Sequence, residues 1–177
     1  MTVIDELLER NARLAATHEP LPNLPRLNLC IVTCPDPRVD PAAIFGLRPG
    51  DAAVVRAAAG RASPIVLQQL AFLAATGTDY GQRPAGTELV LMTHTDCGIV
   101  NFMREDRRKA LAGFLGCSVG ELGSRAVTDP REAVRRDMAL LAANPLLPDE
   151  LSVTGVVYDV QTGRTEVIER NSPLRLG

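Results

Sequence analysis

Apolar positions along the chain follow two rhythms. From Met1 to about Ala16, Val3, Ile4, Leu7, Leu8 and Leu14 recur at helical spacing, and Thr2 with Asp5 three residues on supplies a cap, so the segment predicts an amphipathic helix. The stretch HEPLPNLPR at 18–26 is proline-rich and breaks the helical rhythm, which makes it a connector. Three short apolar runs follow: LNLCIVT at 27–33, DAAVVRA at 51–57 and TELVLMT at 87–93. Their length and β-branched content predict buried strands. Between the second and third, Ser63-Pro64 opens a helix, with Ser63 as cap and Pro64 in the first turn. It carries Ile65, Val66, Leu70 and Leu73 and is expected to stop at Gly77. A helical stretch is expected over Ile99–Leu115, and another from Asp129-Pro130 with Glu132 to Asn144-Pro145. LSVTGVVYDV at 151–160 and TEVIER at 165–170 flank the turn QTGR and predict a hairpin.

Strands alternating with helices predict an α/β fold: a mostly parallel sheet of four strands plus an antiparallel C-terminal edge strand, with helices on both faces. The connector sets the N-terminal helix apart. The expected division is therefore 1–26, helix and proline-rich arm, and 27–177, a single α/β domain. The detached helix is expected to pack on a partner subunit. In such sheets the site lies beyond the carboxyl ends of the strands. That directs attention to the loops after residues 33, 57 and 93.

Charge and composition narrow the function. Nineteen basic against 21 acidic residues give a net charge of −2, so there is no polybasic footprint for nucleic acid. No apolar run approaches the ~20 residues of a membrane span. The N-terminal MTVIDELLER lacks a signal-peptide layout, and the expected location is cytoplasmic. Four cysteines without that layout do not read as a disulfide scaffold. With only 2 histidines, His18 and His94, any histidine-based site has few candidates.

The first strand runs into Cys34-Pro35-Asp36-Pro37-Arg38 and the third into His94-Thr95-Asp96-Cys97-Gly98. Two thiolates and an imidazole suit Zn²⁺. His94 and Cys97 are three apart in one turn, and Cys34 would arrive from the neighbouring strand. Three ligands leave a fourth tetrahedral position for water, the pattern of a catalytic zinc site. Asp36 and Arg38 can project to one side of an extended loop, where Arg38 keeps Asp36 ionised. Asp36 would then orient a zinc-bound water; alternatively it would ligate zinc itself and shut the site. His18 reads as a solvated linker residue, Cys30 and Cys117 as small buried hydrophobes. The run Arg104-Glu105-Asp106-Arg107-Arg108-Lys109 reads as a solvated helix face.

These two motifs, with Tyr158-Asp159-Val160 and Thr162-Gly163 near the hairpin, resemble the β-class carbonic anhydrases, the short prokaryotic members above all. The resemblance implies zinc on Cys34, His94 and Cys97, a catalytic dyad of Asp36 and Arg38, and reversible hydration of CO₂ to bicarbonate. It implies a homodimer or higher homo-oligomer with active sites at the interface. Hydrolysis of COS or CS₂ at the same site is the first alternative. A zinc-binding homologue with weak or no turnover, acting as sensor or scaffold, is the second. Two departures stand out. Arg56-Ala57-Ala58-Ala59-Gly60 replaces the usual Arg-Asn-Ala-Gly-Gly, and Pro37 replaces a small residue between Asp and Arg. Either Pro37 holds the dyad rigidly or it shifts it. Ile31 takes the place of a tryptophan that some members use for an allosteric bicarbonate pocket.

Overall fold

A computed structural model describes residues 2–125, 127–171 and 173–175. Met1, the expected first residue of the N-terminal helix, lies outside them. Among the described residues five strands form one sheet: β1 (Leu29–Thr33), β2 (Ala52–Arg56), β3 (Glu88–His94), β4 (Ser152–Tyr158) and β5 (Thr165–Asn171), in the order β2-β1-β3-β4-β5. The first four are parallel and β5 is antiparallel to β4, as the apolar runs predict. The chain leaves β1 for β2 on one side and returns to β3 on the other. The carboxyl ends of β1 and β3 therefore flank the topological switch point, where open α/β sheets bind ligands.

The two faces of the sheet are covered unequally. Val32, Leu89, Leu91 and Val153 pack under α3 (Pro64–Asp79) and α5 (Pro130–Ala142), which contribute Val66, Leu70, Val134, Met138 and Leu141. Alternation along the strands turns Met92 and Val156 to the other face, beside Val39 and, from the short α2 (Pro41–Phe45), Ile44. The close seat of α5 depends on Gly155. A Cβ there would lie 2.3 Å from Val134 Cγ1. A third apolar group, Ile99, Leu111, Leu115 and Leu122, forms a roof beyond the strand ends.

Several local expectations change. The helix from Ser63-Pro64 continues past Gly77 to Asp79. Gly77 is therefore inside the helix rather than a stop, with the end of the Gln82 side chain resting over it. Ser63 holds the cap position, but its buried hydroxyl makes no capping bond. The single helix expected over 99–115 is two pieces, a 3-10 segment Gly98–Met103 and α4 (Arg108–Leu115). Between them the charged residues 104–107 offer nothing apolar to the core. They form a turn in which the Arg107 and Arg108 N–H groups both donate to the Arg104 carbonyl. The run 104–109 is thus solvated as expected, but only its end is helical. The last long helix ends at Ala142, two residues short of Asn144. The five-residue α2, capped by the Asp40 side chain, has no counterpart among the expected elements.

The N-terminal helix α1 (Val3–Ala15) forms with its capping box: Asp5 N–H donates to Thr2 Oγ1, and Thr2 N–H to Asp5 Oδ2 at 2.7 Å. None of its residues is buried, and its apolar stripe faces solvent in the single chain, with Leu14 71% exposed. The arm is tied to the domain at its end, where Arg26 pairs with Asp51 at 2.7 Å and donates to the Pro49 carbonyl at 3.0 Å. No helix among the described residues is long and apolar enough to cross a membrane.

Candidate metal centre

Cys34 follows β1 by one residue, His94 ends β3, and Cys97 closes the next turn. Their Sγ and ring nitrogen atoms all lie within 4.8 Å of one another. Register does the work, since β1 and β3 are neighbours and their ends share one level of the sheet. The turn that carries His94 and Cys97 is pinned from β4. The Thr95 N–H donates to the Tyr158 carbonyl at 2.9 Å, and Thr95 Oγ1 accepts from the Val160 N–H at 3.1 Å.

His94 is buried, and its Nδ1 lies 2.8 Å from the Thr95 carbonyl. A carbonyl only accepts, so Nδ1 carries the proton and the lone pair sits on Nε2. That buried Nε2 has no hydrogen-bond partner, and it belongs to the ring that joins the two thiols. A buried acceptor left open among thiols fits a soft divalent ion, and zinc suits this donor set. The outer Nδ1–H···O=C bond is the orienting contact that metal-binding histidines commonly have.

The two thiols share one proton. Cys97 beside it, with His94 and backbone N–H contact, pulls Cys34 down to about 4 despite burial. Cys97 moves the opposite way, pushed up by the Cys34 thiolate and by burial. For His94 burial lowers basicity, but the contacts to Cys34 and the Thr95 carbonyl raise it on balance. The centre is thus poised with one thiolate ready and a second thiol that a metal must deprotonate.

Asp36 and Arg38 meet as the spacing suggests. Arg38 Nε donates to Asp36 Oδ1 at 3.0 Å and Nη2 to Oδ2 at 2.8 Å; the Arg38 backbone N–H adds a bond to Oδ1 at 2.9 Å. These bonds hold the Asp36 carboxyl down at about 2, so it is ionised at neutral pH. Asp36 is bound to guanidinium here and is not part of the ligand group. Pro37 fits this arrangement. The Val39 N–H donates to the Asp36 carbonyl at 2.9 Å, so residues 36–39 form a β-turn with proline in the second place, where its fixed φ is favoured. Pro37 stiffens the loop in which Asp36 and Arg38 pair. Arg56 braces the same loop, with Nη1 donating to the carbonyls of Cys34 at 2.9 Å and Val39 at 2.8 Å.

The third strand end contributes a wall. After β2 the backbone turns left-handed at Ala59 (φ 57°) and Gly60 (φ 67°). Gly60 is obligatory by contact as well, because a Cβ would lie 2.4 Å from the Met92 carbonyl oxygen. The turn is fastened by a buried ion pair. Arg61 Nε and Nη2 donate to the Asp137 carboxylate of α5 at 2.7 and 2.9 Å, and the Ala62 N–H adds a bond at 2.8 Å. Nothing in the sequence marks this pair, whose members are 76 residues apart. Beside the thiols, Ala59, Ile99, Phe102, Leu111 and Phe114 line a mostly apolar cavity of about 390 Å³. Away from the site, Cys30 is packed against the core, where burial pushes its thiol up to about 11. Cys117 packs under the roof, and His18 is exposed.

The carbonic anhydrase family profile matches residues 29–125, more than half of the chain. Beta-carbonic anhydrase 1 of Mycobacterium tuberculosis is 32% identical over 166 residues, 93% of this chain and 96% of that protein. A crystal structure of carbonic anhydrase from Streptococcus mutans superposes with a TM-score of 0.75 at 32% identity, covering 96% of this chain and 99% of the other. Carbon disulfide hydrolase of an Acidianus species is 27% identical over 167 residues, 81% of this chain and 78% of that protein.

Proposed function

This chain belongs to the β-carbonic anhydrase family, and from that premise we propose that it catalyses the reversible hydration of carbon dioxide to bicarbonate, with zinc held by Cys34, His94 and Cys97. The observation that carries the reading is the thiol–imidazole–thiol group at the switch point, with an open, buried Nε2 on its histidine. Zinc, when bound, supplies the Lewis acidity that makes water a nucleophile near neutral pH.

The chain's own residues divide the remaining work. Asp36 Oδ1 takes two donors and Oδ2 one, which leaves Oδ2 able to accept another hydrogen bond. An ionised Asp36 in that state orients a water but does not give it a proton. The apolar wall of Ile99, Phe102 and Phe114 admits a small linear molecule without a dipole and offers it no competing donor. Arg38 fixes Asp36 and carries the positive charge that keeps it ionised. The exposed apolar stripe of α1 supports packing on a partner subunit, and the proposed assembly is a homodimer or larger.

Stopped-flow CO₂ hydration by the zinc-loaded protein tests the reading, with metal content measured on the same sample. About one zinc per chain is expected from the ligand count. Zinc-loaded protein without CO₂ hydration would refute the activity. The same apolar cavity and the likeness to a carbon disulfide hydrolase favour COS or CS₂ hydrolysis as the second reading. Turnover of CS₂ without turnover of CO₂ would select it. Zinc with neither turnover would leave a binding homologue.

A further inference from the structure

Arg38 is shared between two carboxylates, and only one belongs to the dyad. Its Nη1 donates to Asp96 Oδ2 at 2.7 Å and its Nη2 to the Asp96 backbone carbonyl at 3.0 Å. With the Nε and Nη2 bonds to Asp36, the guanidinium is held from both ligand-bearing loops at once. Asp96 stands between His94 and Cys97 with a left-handed backbone, φ 53°. That conformation presents its carbonyl and its carboxylate to one guanidinium. Aspartate is among the few residues other than glycine that tolerate it.

We propose that Asp96 is a positioning residue: by holding Arg38 from the turn after β3, it keeps Asp36 on the guanidinium and off the metal ligand group. The inference rests on the zinc site and reaction proposed above. Its physical content is a competition. Asp36 has two possible partners, the Arg38 cation and a metal between the thiols. A second anion on Arg38 fixes where that cation sits, and Asp36, bonded along its Nε–Nη2 edge, stays with it. Arg38 is a long side chain, 44% exposed even with both carboxylates on it; without the Asp96 carboxylate only Asp36 and the Asp96 carbonyl hold it, and Asp36 is released with it. The Asp96 carboxylate is itself 68% exposed, so the pair adds little to folding stability. Its effect falls on turnover and on metal coordination, and that is what separates positioning from scaffolding.

The test uses the full chain loaded with zinc, and in parallel with cobalt(II) as an optical probe of coordination. Asp96→Gly removes the carboxylate and keeps the left-handed backbone; Asp96→Asn removes the charge and keeps an acceptor. Asp96→Gly is expected to retain zinc and to lose about three- to tenfold in kcat for CO₂ hydration, with Asp96→Asn between it and wild type. The cobalt bands of Asp96→Gly should differ from wild type, as Asp36 joins the metal. In an Asp36→Asn background, Asp96→Gly should change neither turnover nor spectrum further. Wild-type turnover and spectrum in both single variants would overturn the proposal. So would loss of zinc from Asp96→Gly, which would make Asp96 a builder of the ligand turn. If zinc-loaded wild type fails to hydrate CO₂, the parent reading fails; the cobalt spectra still decide whether Asp96 governs Asp36.

Discussion

Ala59 carries a methyl group where the backbone favours none. It sits at φ 57° directly before Gly60, in the wall of the candidate site. An L-residue in that region costs about 1–2 kcal/mol, offset in part by the greater freedom glycine has when unfolded. Ala59→Gly should therefore raise stability by about 0.5–1 kcal/mol, read as a higher midpoint in denaturant titration at unchanged slope. The thiols give a second expectation. Cys97 holds its proton more tightly than a free thiol, because the Cys34 thiolate and burial oppose a second negative charge. Zinc must displace that proton, and the folded thiol remains protonated above the ordinary range. Apparent zinc affinity should thus rise with pH, by about tenfold per unit above neutrality and more steeply toward pH 6, where His94, whose basicity is raised, must also give up a proton; competition with a chelator at pH 6, 7 and 8 reads it. A flat profile would contradict the ligand assignment. The meeting of Cys34, His94 and Cys97 was legible from the sequence because Cys34 and His94 each follow an apolar run and Cys97 lies one turn beyond His94. Asp96 lies within the motif from His94 to Cys97, but its hold on Arg38 is hidden in the sequence, because that bond spans 58 residues and depends on a left-handed turn.

Among the elements, α5 does more than cover the sheet. Its Asp137 receives three buried hydrogen bonds from the end of the turn that walls the site. Removing one partner of such a pair leaves a buried charge without compensation, at about 3–5 kcal/mol. Asp137→Ala should lose that much stability by urea titration, a large share of what a domain of this size has. All five strands could be read from the sequence, since strand length, β-branched content and turn residues all pointed one way. Helices fared less evenly. α3 and α5 carry proline in the first turn and a full apolar stripe, so they were plain. The break at 104–107 was not, because helix propensity says nothing about whether a charged turn has core to rest on. α2 was missed for the opposite reason. Five residues are too few for periodicity to register, and its cap works through Asp40, a residue with no mark of its own.

At the scale of the whole molecule, α1 is the unfinished part. Five apolar side chains lie along it, none buried, on a helix whose capping box shows that it is built to persist. A free helix of 13 residues is marginal in water, so its stripe needs a surface. The proposed surface is a second copy. Deleting residues 1–16 should shift the protein toward monomer in light scattering after size exclusion, with the domain's circular dichroism retained. A full-length chain that is monomeric at micromolar concentration would refute the assembly.

The strand order has a consequence for the chain as it is made. Cys34 emerges from the ribosome 60 residues ahead of His94, and β3 becomes a buried strand only when β4 and α5 from the last third of the chain close around it. The Cys34 thiol thus waits 60 residues for the first of its companions, and longer for the sheet that brings them together. In the proposed centre, metal loading would be a late act, tied to the completion of the sheet rather than to any segment of it. A nascent chain stalled before β4 should hold zinc no better than its loose thiols do.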